Sequence, residues 1–250
     1  MVRTSLLCGQ GAVELKLPDS VKVLEIDPLP ALADPEAAVE AALARPIAGQ
    51  PLAELARGRR SACLVVSDFT RPVPNRVILP PLLASLEAAG LERRNITLLI
   101  ATGMHRPNLG HEVDELLGPE VAGAYRVVNH DCRDAAALQE VAVIACAPIA
   151  ITRLYLEAQL KITTGLIEPH PFAGFSGGGK SVLPGLASLE SMRHMHSFAM
   201  VDDPRVAAAR LQGNPFQDQV RRVAALAGLD FMLNVSVDRE RRLLGVFAGA

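Results

Sequence analysis

Two histidines in this 250-residue chain stand where proton chemistry can be done. His105 lies in ATGMHRP and His170 in EPHPFAGF, each in a loop rich in small, rigid or cationic residues. Imidazole titrates near neutral pH, so it can exchange a proton with a substrate hydroxyl. An enzyme that must process both mirror images of a substrate benefits from a base on each side of the reacting carbon, and two histidines from different loops supply that pair. A single histidine would more often be a satisfied or surface residue. Arg71, in SDFTRPVP, carries the forked guanidinium that binds a carboxylate through two parallel hydrogen bonds. Asp68, three residues earlier, can orient Arg71 or a neighbouring histidine. The plainer alternative is a local salt bridge that shapes a proline-rich turn.

Residues 174–181, GFSGGGKS, match the pattern G-x-x-x-x-G-K-[ST] letter for letter. Taken alone, that pattern reads as a triphosphate-binding loop, with Lys180 on the β- and γ-phosphates and Ser181 on magnesium. Its context argues otherwise. Such a loop needs a strand directly before it and an unbroken helix directly after, but Pro169 and Pro171 interrupt the approach, and Pro184 and Gly185 break a helix in its first turns. No convincing strand ending in Asp follows, so the triphosphatase is the weaker reading. Gly177, Gly178 and Gly179 still let the backbone approach a ligand closely and take positive φ, and such a turn can hold one phosphate. His194 and His196 fall two apart on a predicted helix and so point to nearly opposite sides. They should not chelate one metal together, although one could be a single ligand while the other faces solvent. Asn129-His130-Asp131-Cys132 is a weak metal signal.

The elements that must position these residues are legible as alternating patterns. Leu15-Lys16-Leu17 and the stretch 21–26 alternate at period two, as half-buried strands do. Asp34-Pro35-Glu36 opens a short helix, and 45–51 is a loop. Cys63-Leu64-Val65-Val66 is a continuous apolar run typical of a strand buried on both faces. A helix over 75–89 stopped by Gly90, a strand over 96–100, a helix over 111–117 and a strand over 125–128 follow. This alternation predicts an α/β fold, a mostly parallel sheet with flanking helices. In such sheets ligands gather at the carboxyl ends of the strands, and Ser67-Asp68, residues 102–106 and residues 129–131 fall there. Further on, the pattern predicts a strand over 160–167, helices over 188–198 and 204–226 (the latter with a break near Gly213-Asn214-Pro215), and closing strands over 231–237 and 243–247.

Composition excludes several classes. Half of the residues are hydrophobic, enough for a sizeable core, while a net charge of -2 provides no field for nucleic acid or an anionic membrane. Aromatic residues are 4% with no Trp, so base-stacking platforms are not expected. Four cysteines without a C-x-x-C pair suggest neither a disulfide framework nor a zinc site. The N-terminus lacks a secretory signal, and no apolar stretch reaches the roughly 18 residues of a membrane span, so the expected location is cytoplasmic.

SDFTRPVP, ATGMHRP, NHD and EPHPFAGFSGGGKSVLPG, in that order over residues 67–196, resemble the nickel-pincer lactate racemases and related 2-hydroxyacid racemases and epimerases. The last motif is long and specific, the first two less so. The resemblance implies that 1–250 is an N-terminal cofactor-binding domain of the lactate racemase type, with the family's C-terminal domain absent from this chain. It implies a cofactor, a nickel-bearing pyridinium-3-thioamide-5-thiocarboxylic acid mononucleotide, tethered covalently at Lys180. His196, rather than His194, matches the histidine that completes the nickel coordination. His105 and His170 match the acid/base pair, and Arg71 and Asp68 match residues near substrate and cofactor. Ser176, Gly177 and Gly178 fall along the cofactor, near its phosphate. The implied reaction removes hydride from C2 of a lactate-like 2-hydroxy acid and returns it on the other face. The implied partners are that small-molecule substrate and the enzymes that make the cofactor. Gly179 stands where family members often carry a larger residue. The alternative from a different class is a non-catalytic domain that holds the nucleotide without turnover.

Overall fold

A computed structural model of the chain describes residues 1–9, 11–24 and 27–250. It divides into two units, Met1–Pro30 and Ala31–Ala250. In the first, β1 (Val2–Cys8) and β2 (Gly11–Leu17) form an antiparallel hairpin that pairs Val2 with Leu17 and Cys8 with Gly11. The strand expected over 21–26 does not form in its described part. Residues 21–24 take neither strand nor helix, and the Val21 amide donates to the Pro18 carbonyl at 3.0 Å instead. Glu25 and Ile26 lie outside the described residues.

The second unit opens with α1 (Pro35–Ala44), which starts because the Asp34 side chain accepts from the Ala37 amide and Pro35 occupies a first-turn position. After α2 (Leu52–Ala56) the chain alternates: β3 (Ala62–Ser67), α3 (Asn75–Ala88), β4 (Ile96–Ala101), α4 (His111–Leu117), α5 (Pro119–Ala124) and β5 (Arg126–Asn129). A hairpin of β6 (Leu138–Ile144) and β7 (Ala147–Thr152) follows, then α6 (Arg153–Leu156) and β8 (Leu160–Leu166). Two short strands, β9 (Pro169–His170) and β10 (Gly174–Phe175), pair with each other ahead of the glycine run. The chain then builds α7 (Leu189–Met195), α8 (Phe198–Val201), α9 (Pro215–Leu226), β11 (Phe231–Val237) and β12 (Leu243–Gly249).

Six strands form one sheet in the order β12-β11-β8-β3-β4-β5. All neighbours are parallel except β12, which pairs antiparallel with β11 at the edge. The chain adds β4 and β5 on one side of β3, then returns to place β8 on the other. Strand order therefore reverses between β3 and β8, and the crevice outside the carboxyl ends of strands at such a reversal is the preferred ligand site of open α/β sheets. Both faces of the sheet are covered, because alternate side chains of one strand point to opposite faces. Ala62, Leu64 and Val66 of β3 enter one core with Leu79, Leu82 and Leu86 of α3, while Cys63 and Val65 enter the other with Phe216, Val220 and Val223 of α9.

One hairpin has no counterpart in the sequence reading, and two helix bounds are corrected. The hairpin over 138–152 carries no Asn-Gly or Asp-Gly signal; its turn residues, Ala145 and Cys146, take positive φ without being glycine. The helix expected over 204–226 begins only at Pro215. Asn214 caps it by accepting from the amides of Phe216 and Gln217, and it donates through Nδ2 to the carbonyls of Phe172 and Arg210. The helix expected over 188–198 ends at Met195, and Ser197 caps the short α8 that follows.

Candidate active site

At the carboxyl ends of β3, β4 and β8 lies a cavity of about 230 Å³ whose lining includes Asp68, Arg71, His105, His170, Ser176, Gly177, Lys180 and His196. Three separate loops contribute these side chains. Asp68 and Arg71 follow β3, His105 follows β4, and His170 to Lys180 follow β8. His196 arrives from the C-terminal end of α7. Gly178 is the one sequence-predicted residue that does not line the cavity; its amide instead donates to Asn234 Oδ1 at 2.9 Å. A neighbouring hollow of about 520 Å³ shares the wall formed by Gly103, Met104 and His105.

Hydrogen bonds assign the tautomer of each imidazole. Nδ1 of His105 lies 2.6 Å from Oδ2 of Asp68, a carboxylate that can only accept. Nδ1 therefore carries the proton, and Nε2 is the free base. His170 is held the opposite way: its Nδ1 accepts from the amides of Phe172 at 3.2 Å and Ala173 at 3.1 Å, so the neutral ring carries its proton on Nε2. In His196, Nδ1 lies 2.9 Å from the Met192 carbonyl and must donate, which leaves a bare Nε2 lone pair. The Phe172 ring meets the edges of both His170 and His196 at 5.9 Å between centroids, and Phe216 packs against Phe172 and His196 beneath them.

Two of the groups that line the cavity have altered proton affinity. Burial, with help from the charges of Lys180, Arg71 and His196, pulls the His170 imidazole down to about 4. Burial also pulls the Lys180 amine down to about 8; Arg71 adds to this, and the Glu168 carboxylate opposes it. Arg71 itself donates through Nη1 to Glu168 Oε1 at 2.9 Å. The carboxylate nearest Arg71 is thus Glu168, while Asp68 takes His105 and Thr70.

Lys180 sits on a single turn, Gly178–Ser181, rather than on a long helix. Val182, Leu183 and Leu186, directly after it, are fully buried in the α9-side core and anchor that turn. β9 and β10 intervene between β8 and the glycine run, so the strand-loop-helix frame of a triphosphate loop is not present. Gly177 has φ +82°, and a Cβ there would lie 2.7 Å from Asn234 Oδ1; on Gly165 it would lie 2.9 Å from the same atom. The turn therefore rests directly on the end of β8, and Asn234 of β11 tethers it. A Cβ on Gly179 would meet Ala224 Cβ of α9 at 2.8 Å, which explains the small residue before Lys180. Ser176 has its hydroxyl occupied: it donates to the Leu166 carbonyl at 2.5 Å and accepts from the Glu168 amide at 3.1 Å. Sequence reasoning missed Asn234, whose only signal is a polar residue inside an apolar strand.

The weaker histidine signals find structural partners. His130 is buried and donates through Nε2 to the Ala187 carbonyl, and His194 pairs with Gln219 Oε1. Among the described residues no group of three His, Cys, Asp or Glu side chains is placed to hold a metal ion. All four cysteines are free. No helix among the described residues is long and apolar enough to cross a membrane.

The lactate racemase N-terminal domain family model matches residues 8–209. The chain belongs to that family. It is 36% identical over 212 residues to a lactate racemase of Lactiplantibacillus plantarum and 35% identical over 212 residues to one of Thermoanaerobacterium thermosaccharolyticum; each alignment covers 84% of this chain and 50% of the relative. The chain thus spans about half the length of the curated relatives it matches. The lactate racemase apoprotein structure from T. thermosaccharolyticum superposes with a TM-score of 0.87 at 33% identity, covering 99% of this chain and 59% of that one. A Thermotoga maritima protein shares the fold at TM-score 0.68 and 23% identity, covering 86% of this chain and 55% of that one. As a lactate racemase N-terminal domain, the chain has the α/β architecture expected from its sequence, a mostly parallel sheet with helices on both faces.

Proposed function

We propose that this chain is the cofactor-carrying part of a 2-hydroxyacid racemase that acts on a lactate-like substrate. The observation that carries this reading is the convergence of His105, His170, Arg71, Lys180 and His196 on one cavity at the point where strand order reverses.

The residues present fit a nickel-pincer nucleotide. Lys180 offers an amine shifted toward its neutral, nucleophilic form, as a covalent tether needs. His196 offers one bare Nε2 to a metal whose remaining donors come from the nucleotide itself. Gly177 lines the cavity without a side chain, so its backbone is open to close approach by the cofactor, and Gly178 holds the turn against Asn234. When bound, the group supplies an acceptor that takes the C2 hydrogen as hydride and gives it back.

The chain's own side chains do the rest. Arg71 binds the substrate carboxylate. Nε2 of His105 takes the hydroxyl proton, and the Asp68 carboxylate stabilises the resulting imidazolium at Nδ1. His170, neutral with its proton on Nε2, holds the substrate oxygen from the opposite side through an Nε2–H hydrogen bond, and the proton taken up by His105 is the one returned to that oxygen. Return of that hydrogen to the other face of the planar keto acid would invert the centre. A cytoplasmic location and a dependence on the enzymes that make the cofactor accompany this reading.

Intact-protein mass spectrometry with metal analysis, after co-expression with the cofactor-making enzymes, tests it. A covalent adduct mapping to Lys180 with one nickel per chain, and racemisation of lactate by the full-length protein, are expected. An unmodified, nickel-free chain from cells that load a control racemase would overturn it in favour of a domain without turnover.

A further inference from the structure

The loops after β3 and β8 are joined across the strand-order reversal by one side-chain contact, Arg71 Nη1 to Glu168 Oε1 at 2.9 Å. Glu168 is a fixed post for that contact. Its amide donates to Ser176 Oγ at 3.1 Å, its carbonyl accepts from the Ser176 amide at 2.9 Å, and Ser176 is itself tied to the Leu166 carbonyl at the end of β8. Arg71, by contrast, has a long flexible side chain. Its guanidinium makes this single hydrogen bond among the described residues, so Nε and Nη2 keep their donors free. Both side chains are 38% exposed. An ion pair that open adds little to stability, so its value lies in orientation.

Carboxylates bind a guanidinium best through two parallel N–H donors on one edge. With Nη1 engaged by Glu168, the Nε–Nη2 edge keeps both of its donors unused and forms a complete fork. We propose that Glu168 is the positioning residue for Arg71: by engaging Nη1 it presents the Nε–Nη2 edge to the carboxylate of the substrate. This rests on the racemase reading above. Glu168 also carries a negative charge that would repel a free anion, so its removal has opposite consequences under the two views. If it positions Arg71, its loss weakens carboxylate binding; if it merely masks Arg71, its loss strengthens it.

Side-chain ¹⁵N NMR of Arg71 in wild type and E168Q, with L-lactate titrated into each loaded full-length protein, separates these views. The wild type should show distinct Nη1 and Nη2 signals from hindered rotation and a shift at Nε on adding lactate. E168Q should average the Nη signals and weaken lactate binding about tenfold, as expected for a lost charge-assisted orientation. KM should rise by the same factor with kcat little changed. Backbone amide signals remote from the cavity, unchanged in E168Q, show that the fold is kept. Equal or tighter lactate binding in E168Q overturns the positioning role while leaving the racemase reading intact. No lactate shift at wild-type Arg71 overturns both the carboxylate role of Arg71 and the reading beneath it.

Discussion

Nδ1 of His105 lies 2.6 Å from Oδ2 of Asp68, and the carboxylate is buried while most of the imidazole is open to the cavity side. Asp68 is 3% exposed and also accepts from the Thr70 hydroxyl at 2.6 Å and its amide at 3.3 Å, so it is held on three sides. The pair fixes which nitrogen of His105 is free to accept a proton. In Asp68→Asn the amide can donate to Nδ1, which moves the ring proton to Nε2 and removes the base. The loaded full-length protein should then lose about 10²–10⁴ in kcat. An unchanged rate, together with an unchanged His105 tautomer by ¹⁵N NMR, would show that Asp68 does not set it.

His170 is pulled down to about 4 from an ordinary 6.5, chiefly by burial. Between those values the unfolded chain binds the proton and the folded chain does not. Stability from this group is therefore complete above 6.5 and is lost as pH falls toward 4. His170→Asn should flatten that dependence: on going from about pH 7 to about pH 4.5, the wild type should lose more unfolding free energy than the variant. Urea titrations of the metal-free chain at the two pH values give the answer, and equal losses would count against a buried, neutral His170.

Lys180 should behave as a titrating amine near neutrality, since its value is held at about 8 rather than 10.5. Competitive acetylation with trace anhydride, read by peptide mass spectrometry across pH, should give Lys180 a midpoint well below that of the other lysines. Glu168 opposes the shift, so E168Q should move the midpoint lower still. A Lys180 midpoint in the ordinary lysine range would mean that the amine is far better solvated than its position implies.

Gly177 cannot be replaced without cost. Its φ of +82° is strained for any other residue, and a Cβ would press on Asn234 Oδ1 at 2.7 Å, the atom that accepts from Gly178. Gly177→Ala should destabilise the fold by about 1–3 kcal/mol and displace the Lys180 turn. Chemical denaturation measures the first effect and the Lys180 labelling midpoint the second; a neutral substitution would show that the turn has slack.

The sheet and the strand-end loops that line the cavity were largely legible because they follow from local pattern. Cys63-Leu64-Val65-Val66 and Ile96 to Ile100 announce strands buried on both faces, since they are continuous apolar runs too short for a helix and rich in β-branched residues. Polar residues directly after them mark the strand ends where ligands gather, and the glycine run with its proline-broken flanks tells against a triphosphate loop. The hairpin over 138–152 stayed hidden because its turn uses Ala145 and Cys146 at positive φ, a conformation that no local residue type signals. Long-range pairing was equally invisible. Which side of β3 receives β8 is decided by packing of both sheet faces, and that choice brings Glu168 to Arg71, 97 positions away. The histidine tautomers likewise come from partners distant in sequence or from backbone geometry: Asp68 for His105 and a turn of amides for His170. Residue types are written into the chain, but the protonation state and direction of each group depend on what folding places within hydrogen-bonding distance, and only the tertiary structure decides that.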